Sequence, residues 1–183
     1  MKPAHFTAIA VAAIVSAVAI PAMAQVVVGG APMYASKDII DNAVNSKDHT
    51  TLVAAVKAAG LVQTLKGPGP FTVFAPTNEA FAALPAGTVD TLLKPESKPA
   101  LTKVLTYHVV AGKMDSAALM KAIDAGNGKA ALTEVSGGTL TASRSGSMIM
   151  LTDESGGMAH VTIPDVVQSN GVIHVVDKVL LPK

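Results

Sequence analysis

Four consecutive residues, Gly67-Pro68-Gly69-Pro70, constrain the fold more than any other stretch. Neither residue type sustains a helix or a ladder, so the chain must stop there and restart at Phe71. What restarts is "FTVFAPTNEAFAALP", residues 71–85, which concentrates three phenylalanines in a chain with few aromatic residues. The pattern predicts a strand over Phe71–Ala75. Pro76 cannot donate to a ladder and ends it. Thr77 or Asn78 can cap the helix that follows, and Glu79 in its first turn suits the helix dipole. In the strand, Phe71 and Val73 share one face while Thr72 and Phe74 share the other. Phe81 and Leu84, three apart, share an inner helical stripe. A strand apolar on both faces is covered on both sides. The segment therefore reads as core, with about 1.5–3 kcal/mol of burial per phenylalanine and a cost of about 3–5 kcal/mol for Phe→Ala.

Upstream, residues 35–65 have helical period. Ser36 is a candidate cap for a helix using Ile39, Ile40, Ala43 and Val44. Thr50 or Thr51 is the candidate cap for a second, with Leu52, Val53, Val56 and Ala59 on one stripe and Gly60 at its end. Downstream, Leu101–Thr106 predicts a helix feeding a strand over Tyr107–Val110, and Ala117–Ile123 a helix closed by Gly126. The texture then changes. Leu132–Val135, Thr139–Ser143, Met148–Thr152, Met158–Ile163 and Val172–Val176 are short apolar or alternating runs, most of them separated by glycine turns. That spacing predicts an antiparallel meander. Helices first and strands later mean an α+β chain.

The N-terminus predicts export. Lys2, the small-apolar run Thr7–Ile20 and Pro21-Ala22-Met23-Ala24 form a basic region, an apolar region and an A-x-A cleavage signal. Residues 1–24 are expected to be removed as a signal peptide, 25–34 to be a short lead-in, and 35–183 to form a single domain. The product is expected in a periplasm or outside the cell, with no integral membrane segment after cleavage. There is no cysteine, so the domain must cohere by burial without disulfides. Without Lys2, basic and acidic side chains are equal in number. No basic face for nucleic acid and no cationic run for anionic lipid is visible.

Three segments together resemble the fasciclin-like domain family: "FTVFAPTNEAFAALP", "LTYHVVAGKM" at 105–114 and "SNGVIHVVDKVLLP" at 169–182. They occur in the family's order and cover nearly the whole mature chain. The resemblance implies N-terminal helices packed on a two-sheet antiparallel β-wedge of about seven strands. It also implies an extracellular or cell-surface module for adhesion and matrix binding, with no common chemistry. In animal relatives the tyrosine–histidine pair, here Tyr107-His108, is associated with receptor binding.

The residues themselves argue differently for that pair. Neighbours in a strand point to opposite faces, and Val109 and Val110 beside them suggest burial. A buried imidazole needs a partner, which Asn78 or a carbonyl near the strand break can supply. Tyr107, His108 and Asn78 are thus binding candidates with a competing structural reading. Met148-Ile149-Met150 places two thioethers on one strand face, with Met158 and His160 on the neighbouring strand. That set suits Cu(I), while methionine also fills awkward cores. His174, inside Val172–Val176, reads as a satisfied strand residue. Asp153-Glu154 reads as a solvated turn, and Asp165 and Asp177 as turn and strand-end residues. No metal-ligand spacing, nucleophile motif or acid–base pair is present, so no cofactor is expected.

The leading expectation is a non-catalytic exported module. It would bind a cell-surface or matrix protein or glycan, weakly and in many copies. The alternative is an exported small-ligand or copper carrier.

Overall fold

The computed structural model describes residues 25–183; the expected signal peptide lies outside the described residues. A two-residue strand pair, β1 (Val27–Val28) and β2 (Ala31–Pro32), leads into α1 (Ile39–Ala43), a 3-10 turn at Lys47–His49, α2 (Thr50–Ala59) and α3 (Val62–Leu65). After the glycine–proline block come β3 (Phe71–Pro76), α4 (Asn78–Ala82), α5 (Thr88–Leu92) and α6 (Lys98–Tyr107). The remainder is β4 (Val109–Ala111), α7 (Ser116–Ala125), β5 (Lys129–Thr133), β6 (Thr139–Ser145), β7 (Met148–Thr152), β8 (Met158–Gln168) and β9 (Gly171–Val176).

Seven strands form one curled sheet in the order β4-β3-β9-β8-β7-β6-β5. The meander β5 to β9 is antiparallel as expected, and β9 then lies parallel to β3. A Cβ at Gly171 would fall 2.1 Å from the Phe71 carbonyl oxygen, so the parallel pairing requires a glycine there. The wedge comes from β8. Its Met158–His160 end pairs with β7, while Val161–Gln168 pairs with β9 through two register shifts. Pro164 and Asp165 occupy the second irregularity, where a missing N–H costs no ladder bond, and Asp165 takes φ +58°. The sequence pattern had ended this strand at Ile163; the bulge lets it run on to Gln168. Finally, the β4 edge curls back onto the residues that follow β5. Val110 bridges Glu134, and Val135 N donates to Val109 O at 2.9 Å.

Two cores follow from the alternation in β3. Val73 and Ala75 face the N-terminal helices, with Leu52, Val56, Phe81, Leu101 and Ile173. Phe74 faces the wedge interior, with Leu119 and Ile123 of α7, Leu140, Leu151 and Val176. Both faces of the strand are covered, as its composition required. Val28, Ala31 and Met33 belong to the first core, so the segment 25–34 is anchored to the body of the domain through these three side chains.

Helix ends differ in detail from the sequence pattern. Asp38, not Ser36, caps α1, accepting from Asp41 N at 2.8 Å, and Val44 is exposed. Thr77 caps α4 by accepting from Ala80 N, and Asp115 caps α7 by accepting from Ala118 N.

Candidate functional site

Tyr107 is not a strand residue. It ends α6, and His108 is that helix's C-cap, so the expected strand over 107–110 begins only at Val109. The two side chains still diverge. Tyr107 is fully buried in the wedge core, where its hydroxyl donates to Thr139 O and accepts from Glu154 N, both at 3.0 Å. His108 is buried towards the first core. Its Nδ1 meets Val104 O at 2.8 Å and its Nε2 accepts from Leu180 N at 2.9 Å. That pattern fixes a neutral imidazole protonated on Nδ1, and burial pushes its pKa down to about 4.

Asn78 does not reach His108. Its Oδ1 accepts from Thr51 N at 3.0 Å and from the Thr50 hydroxyl, while its Nδ2 donates to Lys47 O at 2.7 Å. The start of α2 lacks a side-chain cap of its own, and Asn78 supplies one from 27 residues away. The three candidates therefore occupy three separate environments.

Other residues carry more structure than their sequence context suggested. His174 is satisfied as expected: Nε2 meets Met114 O at 2.8 Å and the ring stacks on Phe74 at 5.7 Å. Asp153 is buried rather than solvated, accepting from Ser155 N, Gly157 N and Leu181 N. Glu154 accepts from Thr139 N at 3.0 Å. Asn170 carries a role that no local pattern marks. Its Oδ1 accepts from Ile39 N, and its Nδ2 donates to Leu65 O and Gly67 O. It ties α1, α3 and the glycine block to the turn before β9. Only its place in the "SNG" turn hinted at such a role.

Glu134 is the least comfortable group. It is buried, Oε1 has no hydrogen-bond partner, and Oε2 accepts from the Ser136 hydroxyl. Burial foremost, with Glu154 nearby, pushes its pKa up to about 8.

On the outside, Tyr34 is 37% exposed, with Lys37 Nζ 5.0 Å from its ring centroid. It borders an open groove of about 420 Å³ shared with Val26, Ser36, Asp165 and Val167. An enclosed apolar cavity of about 40 Å³ lies in the first core beside Ser46, His49 and His108. That is far below the ~300–1,000 Å³ of ordinary small-molecule sites. Among the described residues, no three His, Asp or Glu side chains gather as a metal site.

The fold and these blocks define a fasciclin-type module, and comparison with known proteins agrees. The family model for the Fasciclin domain matches residues 47–182, and the chain belongs to that family. Protein sll1483 of Synechocystis sp. is 47% identical over 157 residues, covering 85% of this chain and 79% of that protein. Immunogenic protein MPB70 of Mycobacterium bovis is 34% identical over 197 residues, covering 97% and 93% respectively. A solved FAS1 domain pair from the insect cell adhesion molecule Fasciclin I superposes with a TM-score of 0.71 at 16% identity. That match covers 79% of this chain, which spans about half (51%) of the insect chain.

Proposed function

We propose that the protein is an exported, non-catalytic interaction module. It attaches to cell-surface or matrix protein or glycan by weak contacts that count only in many copies. The observation carrying this reading is where the aromatic rings lie. Phe74, Phe81 and Tyr107 are interior, leaving Tyr34 as the exposed large aromatic among the described residues. The sequence has one arginine, Arg144, and no tryptophan. Binding energy at protein surfaces concentrates in Trp, Tyr and Arg, so a single copy has little to grip with, and clustering must multiply it. The adhesive part of the reading rests on family membership and on the insect cell adhesion molecule that shares the fold. Export rests on the N-terminal signal. No helix among the described residues is long and apolar enough to cross a membrane.

The contact face we assign is the Tyr34 ring with Lys37 and Val167 at the groove edge. The test compares retention of the protein, as monomer and as a dense array on beads, on cell-surface and matrix preparations. The array should be retained and the monomer washed away, and Tyr34→Ala should lower array retention about tenfold, amplified over the single-site loss by multivalency. Nanomolar capture of the monomer, or an array indifferent to Tyr34→Ala, contradicts this assignment.

A further inference from the structure

We propose that the outer face of β7 and β8 binds one soft monovalent metal ion, Cu(I), through the thioethers of Met150 and Met158 and Nε2 of His160. The register assembles this set. Met150 stands directly opposite His160 and Thr152 opposite Met158, so Met158 lies two residues along β8 from His160 on the same face. Directly opposed side chains have Cβ atoms about 4.5–5.5 Å apart, and next-but-one residues on a strand are about 7 Å apart. Methionine places its sulfur two bonds beyond Cβ on a flexible stem, so both sulfurs reach an ion held at the imidazole.

Two further observations point the same way. These methionines do not fill the core: Met158 is 49% exposed and Met150 is half-buried on the same outer face, whereas Met33 is buried. Thioethers standing in water forgo the packing that would otherwise explain them. The histidine is also already oriented. Asp177 Oδ2 lies 3.2 Å from His160 Nδ1, while Asp177 Oδ1 accepts from His160 N at 2.8 Å. Asp177 flanks His160 on the β9 side and Met150 flanks it on the β7 side. A carboxylate on Nδ1 fixes the tautomer that leaves the Nε2 lone pair for a metal and makes it a better ligand. Nε2 has no hydrogen-bond partner among the described residues. Two thioethers and one imidazole nitrogen, with no thiolate, form a soft donor set that favours Cu(I) over harder divalent ions.

The test is anaerobic titration of the purified protein with Cu(I) against a chromophoric Cu(I) chelator. It is paired with methionine-methyl NMR using Ag(I) as the redox-inert probe. One ion per chain is expected, with the Met150 and Met158 methyl signals moving first and Met33 unmoved. The double variant Met150→Leu/Met158→Leu, on an exposed face where leucine keeps the bulk, should lose affinity by at least about tenfold, as should His160→Gln. Asp177→Asn, acting through the ring it orients, should weaken binding about 10–100-fold. Failure to compete with the chelator overturns the proposal. So does unchanged affinity in the double variant, or methyl shifts confined to other methionines.

Discussion

The Tyr107 hydroxyl, at the end of α6, donates to the carbonyl of Thr139, the first residue of β6, and so anchors a helix to a strand 32 residues away. The same oxygen accepts from Glu154 N. Burial raises the phenol's pKa to about 12, so it remains a donor well into alkaline solution. Tyr107→Phe removes both bonds yet keeps the ring. It should cost about 1–3 kcal/mol, the penalty of stranding buried backbone groups, measured by urea unfolding. Tyr107→Ala adds a cavity and should cost about 3–5 kcal/mol. Loss of adhesion in the alanine variant alone would thus report unfolding. A stability unchanged by Tyr107→Phe would show that these bonds contribute nothing net.

His108 sets an acid limit. Its folded pKa, about 4, lies below the value of about 6.5 in an unfolded chain,. Below pH 6.5 the unfolded state takes up a proton that the folded state refuses. Stability from this group is therefore full above pH 6.5 and falls by up to about 1.4 kcal/mol per pH unit towards pH 4. Burial shifts His49 and His174 in the same direction. Melting temperature followed from pH 7 to 4 should drop, and His108→Gln, which keeps a donor and an acceptor, should flatten the slope. An identical slope in the variant would assign acid sensitivity elsewhere.

Glu134 acts with the opposite sign. Its pKa is raised to about 8 when folded, against about 4.3 in the unfolded chain. Between those values the folded state holds a proton that the unfolded state has released. This contribution is complete at low pH and declines as pH rises towards 8. Glu134→Gln, which keeps the shape without the charge, should raise melting temperature most at pH 8–9 and hardly at all at pH 4. An equal gain at both ends would mean that ionisation is not the cause.

Asn78→Ala should cost about 0.5–2 kcal/mol, the usual value of a lost helix cap, although Asn78 lies outside the helix it caps. Hydrogen exchange should speed up at Thr51 and its neighbours in α2. Acceleration confined to α4, where Asn78 itself resides, would contradict the cross-chain cap.

The parts of this fold that were legible in sequence are those written in local pattern. The strand at Phe71, the meander glycines and the helix after Pro76 all follow from periodicity and turn chemistry. Pairings fixed by distant partners were not legible. The parallel alignment of β9 with β3 depends on Phe71 meeting Gly171, and no local signal states it. Tyr107 reads as strand because Val109 and Val110 follow it, but the packing of α6 claims one more residue. Asp153 looked solvated beside its glycines because its third donor, Leu181 N, arrives from the far end of the chain. Asn78 pairs with Thr51 and Lys47 and not with His108 for the same reason: its partners are distant in sequence.

The return of β4 onto Glu134 and Val135 has a bearing on life at high density. Open sheet borders recruit strands from neighbouring molecules and seed fibres. Here the short β4 border is taken up by Glu134 and Val135, the residues that follow β5. Dense display of the kind proposed above would therefore present neighbouring copies with a β4 border whose backbone groups are already occupied.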